Sequence, residues 1–155
     1  MNDLERAARA TDFLRVDHDW VKRLFNEYRA AMRSGMPRAT IAAEILRNVE
    51  AHYRAEGACL LPAARGLDEA LVERLLDEAD VVHACVEELR AYTYDPPTRD
   101  ILMLRLMDLV EHHAAEEEET LFPLLEANLP TTLRDLHPDV VRVRHAAHIG
   151  AREAV

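Results

Sequence analysis

Apolar residues return every three to four positions along four stretches of this chain, and each stretch is bounded by turn or cap residues. The first opens near "TDFL", where Thr11 or Asp12 can cap free amides, and ends at "SGMP". Pro37 fits the first turn of a second helix that runs to about Pro62. A third follows "GLDEA", with Asp68 as its cap, and "YDPPT" breaks it, because two prolines cannot continue a helix. Thr98 then starts a fourth, which ends before Pro130. Segments of about 20 to 28 residues span roughly 30 to 40 Å at the helical rise. Short connections between helices of matched length predict an all-α, up-down-up-down antiparallel four-helix bundle over residues 1–130. Residues 131–155 form a C-terminal tail, in which a short peripheral helix from Asp139 is expected.

The apolar stripes are interrupted, and always by the same residue types. The first helix aligns Leu14, His18, Val21, Phe25 and Tyr28. The second aligns Ile41, Ile45, Val49, His52, Glu56 and Leu60; the third Val72, Leu76, Ala79, His83 and Val86; the fourth Leu102, Leu106, Leu109, His113, Glu117 and Leu124. Four histidines and two glutamates therefore turn inward. His112 falls with Arg105 and Asp108 on a solvated side, so only one of the two adjacent histidines enters the seam. The stretches "HYRAEGACLLP" from His52 and "HAAEEEETLFP" from His113 also superimpose without a gap, so the two halves read as copies of one helix pair.

An ionised carboxylate in an apolar seam costs several kcal/mol unless it is paired or bound to metal, and no inward Lys or Arg shares these stripes. A cation is the remaining partner. Six ligands, His18, His52, Glu56, His83, His113 and Glu117, are too many for one tetrahedral zinc, and calcium or magnesium would not recruit imidazoles. Mixed nitrogen and oxygen donors suit iron or manganese, with two carboxylates bridging a pair of ions.

Composition narrows the partners. The chain has 155 residues, one domain's worth, and carries a formal charge of −10, which repels nucleic-acid phosphates and anionic lipid. No apolar run approaches the ~18 residues of a membrane span, and "MNDLERAARA" has no signal-peptide core, so a cytoplasmic protein is expected. Cys59 and Cys85 read as reduced thiols. Glu116, Glu118 and Glu119 read as solvated helix surface, Tyr28 and Tyr53 as donors to metal-bound groups or as packing residues, and His145 and His148 as surface histidines.

With "DHDWVKRLFNEY" around His18, "VVHACVEEL" around His83 and the two repeated stretches, residues 10 to 127 resemble the hemerythrin-like (HHE cation-binding) proteins. The resemblance implies a non-haem di-iron centre, oxo- or hydroxo-bridged, with manganese or zinc as substitutes. Oxygen-carrying members have a second histidine four residues from the first on the third helix and a final Asp five residues after its histidine. Here positions 79 and 87 are Ala and Glu, and His113 is followed by Glu117. Asp80, Glu87, Glu116 or water would complete the coordination. The resemblance thus implies reaction with hydrogen peroxide or dioxygen, including catalase-like dismutation, ahead of reversible oxygen carriage. An oxygen-, nitric-oxide- or iron-sensing module without turnover is a second class, and a metal-free helical interaction protein a third. The expected partners are small molecules, not nucleic acid or membrane, with the chain a monomer or homodimer.

Overall fold

The computed structural model describes residues 9–91 and 95–153. The amino-terminal stretch through residue 8 and Tyr94 of "YDPPT" lie outside the described residues. Those described are helical or in short turns, with no strand among them. The helices are α1 (Ala10–Arg33), α2 (Ala39–Ala55), α3 (Leu61–Ala64), α4 (Glu69–Ala91), α5 (Pro96–Glu116), α6 (Phe122–Asn128) and α7 (Pro130–Glu153). Two π-helical turns, Glu56–Leu60 and Glu117–Leu121, join α2 to α3 and α5 to α6, so each of these pairs continues as one long helix. No helix among the described residues is long and apolar enough to cross a membrane.

The ends of the helices follow local chemistry. Gly35, at φ +65°, closes α1: its amide donates to Met32 O and that of Met36 to Ala31 O, satisfying carbonyls that the helix leaves free. Asp68 caps α4 by accepting from Leu71 N at 2.9 Å, as expected. At α5 the cap is Asp95, which accepts from both the amide and the hydroxyl of Thr98. At α1 neither Thr11 nor Asp12 caps; Asp12 pairs with Arg9, and the Thr11 hydroxyl donates to Glu126 on α6.

Inside, the apolar residues form two clusters. One gathers Phe25, Tyr28, Ile45, Val86, Met103 and Leu106; the other gathers Leu14, Leu60, Leu75, Leu121, Phe122 and Leu133. Between them, at the level of the π turns, lies a polar layer.

The C-terminal helix is longer than its sequence suggests. It begins at Pro130, a residue suited to a first helical turn, and continues through Pro138 for 24 residues. Leu133 and Val140 are fully buried, with Leu136 and Val143 packed beside them, a three-to-four spacing that seats α7 on α1 and α2.

Candidate metal centre

The polar layer is built where the two repeated motifs lie. In each, a proline follows the glutamate by six positions, and its ring would clash with the carbonyl four residues back in a regular α-helix. The turn widens instead: Leu61 N donates to Glu56 O and Phe122 N to Glu117 O, both spanning five residues. Isolated π turns of this kind concentrate at functional sites. Here each begins on the inward glutamate.

Glu56 and Glu117 are 1% and 0% exposed, and three imidazoles converge on them. His52 Nε2 lies 2.7 Å from Glu56 Oε1, and His18 Nε2 lies 3.2 Å from Glu117 Oε2 and 3.9 Å from Glu56 Oε1. From the opposite side, His113 Nε2 approaches Glu56 Oε2 at 3.4 Å and Glu117 Oε1 at 3.3 Å. Each carboxylate therefore points one oxygen toward the α1/α2 histidines and the other toward His113. The Nε2 atoms of His18 and His52 face each other at 3.1 Å, an arrangement that needs a proton or a cation between two lone pairs.

The other nitrogen of every ring is held by a carboxylate. His52 Nδ1 is 2.7 Å from Asp17, His18 Nδ1 is 2.7 Å from Glu118, and His113 Nδ1 is 2.9 Å from Glu78. An ionised carboxylate only accepts, so Nδ1 is the donor in each case and Nε2 is the atom presented to the centre. A metal-ligating histidine is commonly fixed in this manner.

The electrostatics agree with a site made for positive charge. Burial opposes protonation of His52, but Glu56 and Asp17 outweigh it and lift its pKa to about 9. Burial likewise opposes His113, which Glu117 and Glu56 raise to about 11, and His18, which Glu117, Glu118 and Glu56 hold well above its ordinary value. Burial also disfavours the charge on Glu56, yet the surrounding imidazoles keep it well below the usual carboxylate range. Both oxygens of Glu117, and Oε1 of Glu56, are buried without a well-formed hydrogen bond. Three imidazole nitrogens and two under-satisfied carboxylates, with no thiolate among them, fit a divalent or trivalent transition metal of the iron or manganese type. His18, His52, Glu56 and Glu117 lie close enough to share one cation, with His113 beside them. The hemerythrin HHE cation-binding domain matches residues 9–141.

The chain belongs to this family. Among relatives, the HHE domain is 30% identical over 121 residues to a DNA nickase of Nostoc sp. (strain PCC 7120 / SAG 25.82 / UTEX 2576), covering 76% of the chain and 34% of that protein. It thus spans about a third of the length of the curated relative it matches. No solved structure matches it.

One expected residue of the HHE centre is elsewhere. His83 is exposed, grouped at the surface with Glu50 and Glu87, because the most apolar sector of α4 runs through Val82, Cys85, Val86 and Leu89 and turns His83 to its flank. Of the residues considered for the remaining coordination position, Asp80 and Glu87 are exposed and Glu116 is paired with Arg74. Glu118, expected to be solvated, instead reaches His18. Asp17 and Glu78 were not legible as partners of His52 and His113, since each reaches its histidine across a helix interface at a spacing that depends on packing. Tyr28 is far from the centre and donates to Asp100. Tyr53 is close, its ring 4.8 Å from that of His113 and its hydroxyl buried without a partner. His148 is half-buried against Glu44 rather than free at the surface. Both cysteines are free thiols, with Cys85 buried and Cys59 partly so.

Proposed function

We propose that this HHE domain holds two non-haem iron ions and reacts with hydrogen peroxide or dioxygen, in a catalase-like or protective role. The observation that carries this is the pair of carboxylates, Glu56 and Glu117, each spanning from the His18/His52 side to the His113 side, with both oxygens of Glu117 and Oε1 of Glu56 lacking hydrogen bonds. Such a pair suits two ions better than one, with α1, α2, α4 and α5 as the up-down-up-down helices around them. Manganese would accept the same donors, and zinc could substitute.

An iron pair supplies a two-electron reservoir, by which one peroxide is oxidised to dioxygen and a second is reduced to two waters. The protein's own part is to select and orient. A cavity of about 10 Å³ abuts His18, His52 and Tyr53; Val21, Phe25, Val49, Val110 and Ala114 make up most of its wall, with Lys22 and Glu111 also lining it, and it admits a molecule of water's size and little more. The Tyr53 hydroxyl, buried beside the layer without a partner, stays protonated because burial and the nearby Glu56, Glu117 and Glu78 push its pKa well above the ordinary value, so its Oη is a hydrogen-bond donor toward a molecule held there. The apolar wall keeps bulk water from the layer. Free thiols fit a reducing, cytoplasmic setting.

Metal analysis of iron-loaded protein by mass spectrometry should give two irons per chain, with near-ultraviolet absorption that Glu56→Ala removes. Adding peroxide should release dioxygen, and His113→Ala should abolish the release. Iron-loaded protein that neither evolves dioxygen nor is oxidised by peroxide would overturn the reactive reading. One observation favours a second reading, a sensing module without turnover: the matched segment makes up about a third of the Nostoc protein, as a module within a longer chain would. Strand nicking is not carried over, because a charge of −10 opposes contact with a phosphate backbone.

A further inference from the structure

The three carboxylates behind the histidines are not held alike. Glu118 and Glu78 have side chains 32% and 24% exposed, and the nearby Arg74 is spent on Glu116. Asp17 is 7% exposed, with a shorter side chain, and Arg144 of α7 grips it. Arg144 Nη2 donates to Asp17 Oδ1 at 2.8 Å, and Nε reaches Oδ1 and Oδ2 at 3.1 and 3.2 Å. The same Nη2 donates to Asn48 Oδ1 at 2.5 Å, and Asn48 is itself oriented, since its amide nitrogen donates to the Glu44 carbonyl and carboxylate.

We propose that Arg144 is a positioning residue for the metal centre, acting through Asp17 to fix the ring of His52. This rests on the metal-binding reading above. A buried guanidinium–carboxylate pair adds little stability over apolar packing of the same volume, so stability alone is a poor reason for placing one here. Orientation is a better one. Asp17 accepts from His52 on Oδ2 while Arg144 spans both of its oxygens, Nη2 on Oδ1 and Nε shared between Oδ1 and Oδ2, so the fork stops the carboxylate from rotating away from the ring. Glu44, Asn48, Arg144, Asp17 and His52 thereby form one chain of hydrogen bonds from α7 to a ligand, although α7 carries no ligand of its own. His52 becomes the anchored imidazole of the three, and the ion it binds the more tightly held.

The test is a Co²⁺ titration of the full metal-free chain against a competing chelator, followed by the visible bands of the bound ion. Arg144→Gln should weaken the tighter Co²⁺ affinity by about 10- to 100-fold and alter those bands. Arg144→Lys, which keeps charge and stem without the fork, should recover part of the loss and carries the test if the glutamine variant does not fold. Asp17→Asn should weaken binding by a similar factor, and the Asp17→Asn/Arg144→Gln double variant should be no worse than Asp17→Asn alone. Glu118→Gln, on a separate path to His18, should add independently to Arg144→Gln. A purely structural Arg144 would lower the thermal midpoint of the metal-free protein and leave Co²⁺ affinity and bands unchanged. That result, or additive losses for Arg144 and Asp17, overturns the proposal while the metal centre stands. If the wild-type chain takes up no Co²⁺, the metal centre itself is refuted, and the role of Arg144 with it.

Discussion

The α1/α2 pair and the α4/α5 pair each deliver a His-x-x-x-Glu turn ending in proline, but they furnish the centre unequally. The first pair gives two imidazoles, His18 and His52, with a buried Asp17 behind one of them. The second gives only His113; α4 contributes Glu78, which supports that ring from outside. The difference arises from a single angular step on α4, where Val82 takes the inward position and His83 the flank. A duplicated motif therefore does not guarantee a duplicated site: the second helix of each pair is fixed by its π turn, while the first is free to rotate to suit its apolar face.

The sharpest way to break this comparison is to remove histidines one at a time. His18→Ala, His52→Ala and His113→Ala should each cost at least one bound metal ion per chain, measured by mass spectrometry after iron loading. His83→Ala should leave the metal content at the wild-type value. Loss of metal in His83→Ala would mean that the two pairs are equivalent after all.

The next effect concerns what braces the first pair. Leu133 of α7 is fully buried in the apolar cluster that also holds Leu14, Leu60 and Phe122. Leu133→Ala should lower the unfolding free energy of the metal-free protein by about 2 to 5 kcal/mol, as for other buried leucines. Chemical denaturation reads this directly. A change below about 0.5 kcal/mol, the usual size for surface positions, would make α7 an appendage.

These two tests also mark where the sequence was readable. Glu56, Glu117, His18, His52 and His113 could be placed inward because each interrupts a long apolar stripe and little else competes for the face. His83 was placed inward on the same grounds and lies on the flank instead, because Val82 beside it competes for the same sector and a one-residue choice of register is worth only a few contacts. The helix α7 was underestimated because its valines and the near-terminal Gly150 lower local propensity, whereas tertiary burial of Leu133 and Val140 decides the outcome. Asp17, Glu78, Glu118 and Arg144 form their key contacts between residues far apart in the chain, and a periodicity argument cannot reach such contacts.

Within the second pair, Glu78 is the support for comparison with Asp17. Burial and the adjacent Glu116 raise its pKa even though His113 opposes them, so it is a weaker anchor than Asp17, which His52 and Arg144 hold ionised despite its burial. Glu78→Gln should weaken metal affinity by about tenfold, the lower end of what outer partners contribute. Chelator competition measures it. An effect larger than that of Asp17→Asn would reverse the ranking of the two halves.

The smallest effect tests by pH the carboxylate of Glu44 on α2, held mainly by Arg47 and Asn48 of its own helix and also by His148 of α7. Burial raises the Glu44 pKa, but Arg47, Asn48 and His148 outweigh it and bring it down to about 2. A carboxylate whose folded pKa is depressed stabilises the fold fully above its unfolded value near 4.5, and that contribution fades as pH falls through this value toward about 2. Because the side chain is 24% exposed, solvent screening limits the contribution to at most about 1 kcal/mol. The urea midpoint of the wild type should therefore fall more steeply between pH 5 and pH 3 than that of Glu44→Gln, and the two curves should converge at the acid end. Parallel curves across that window would mean that the contact of His148 with Glu44, 3.2 Å in the structure, does not help to hold α7 on the first helix pair.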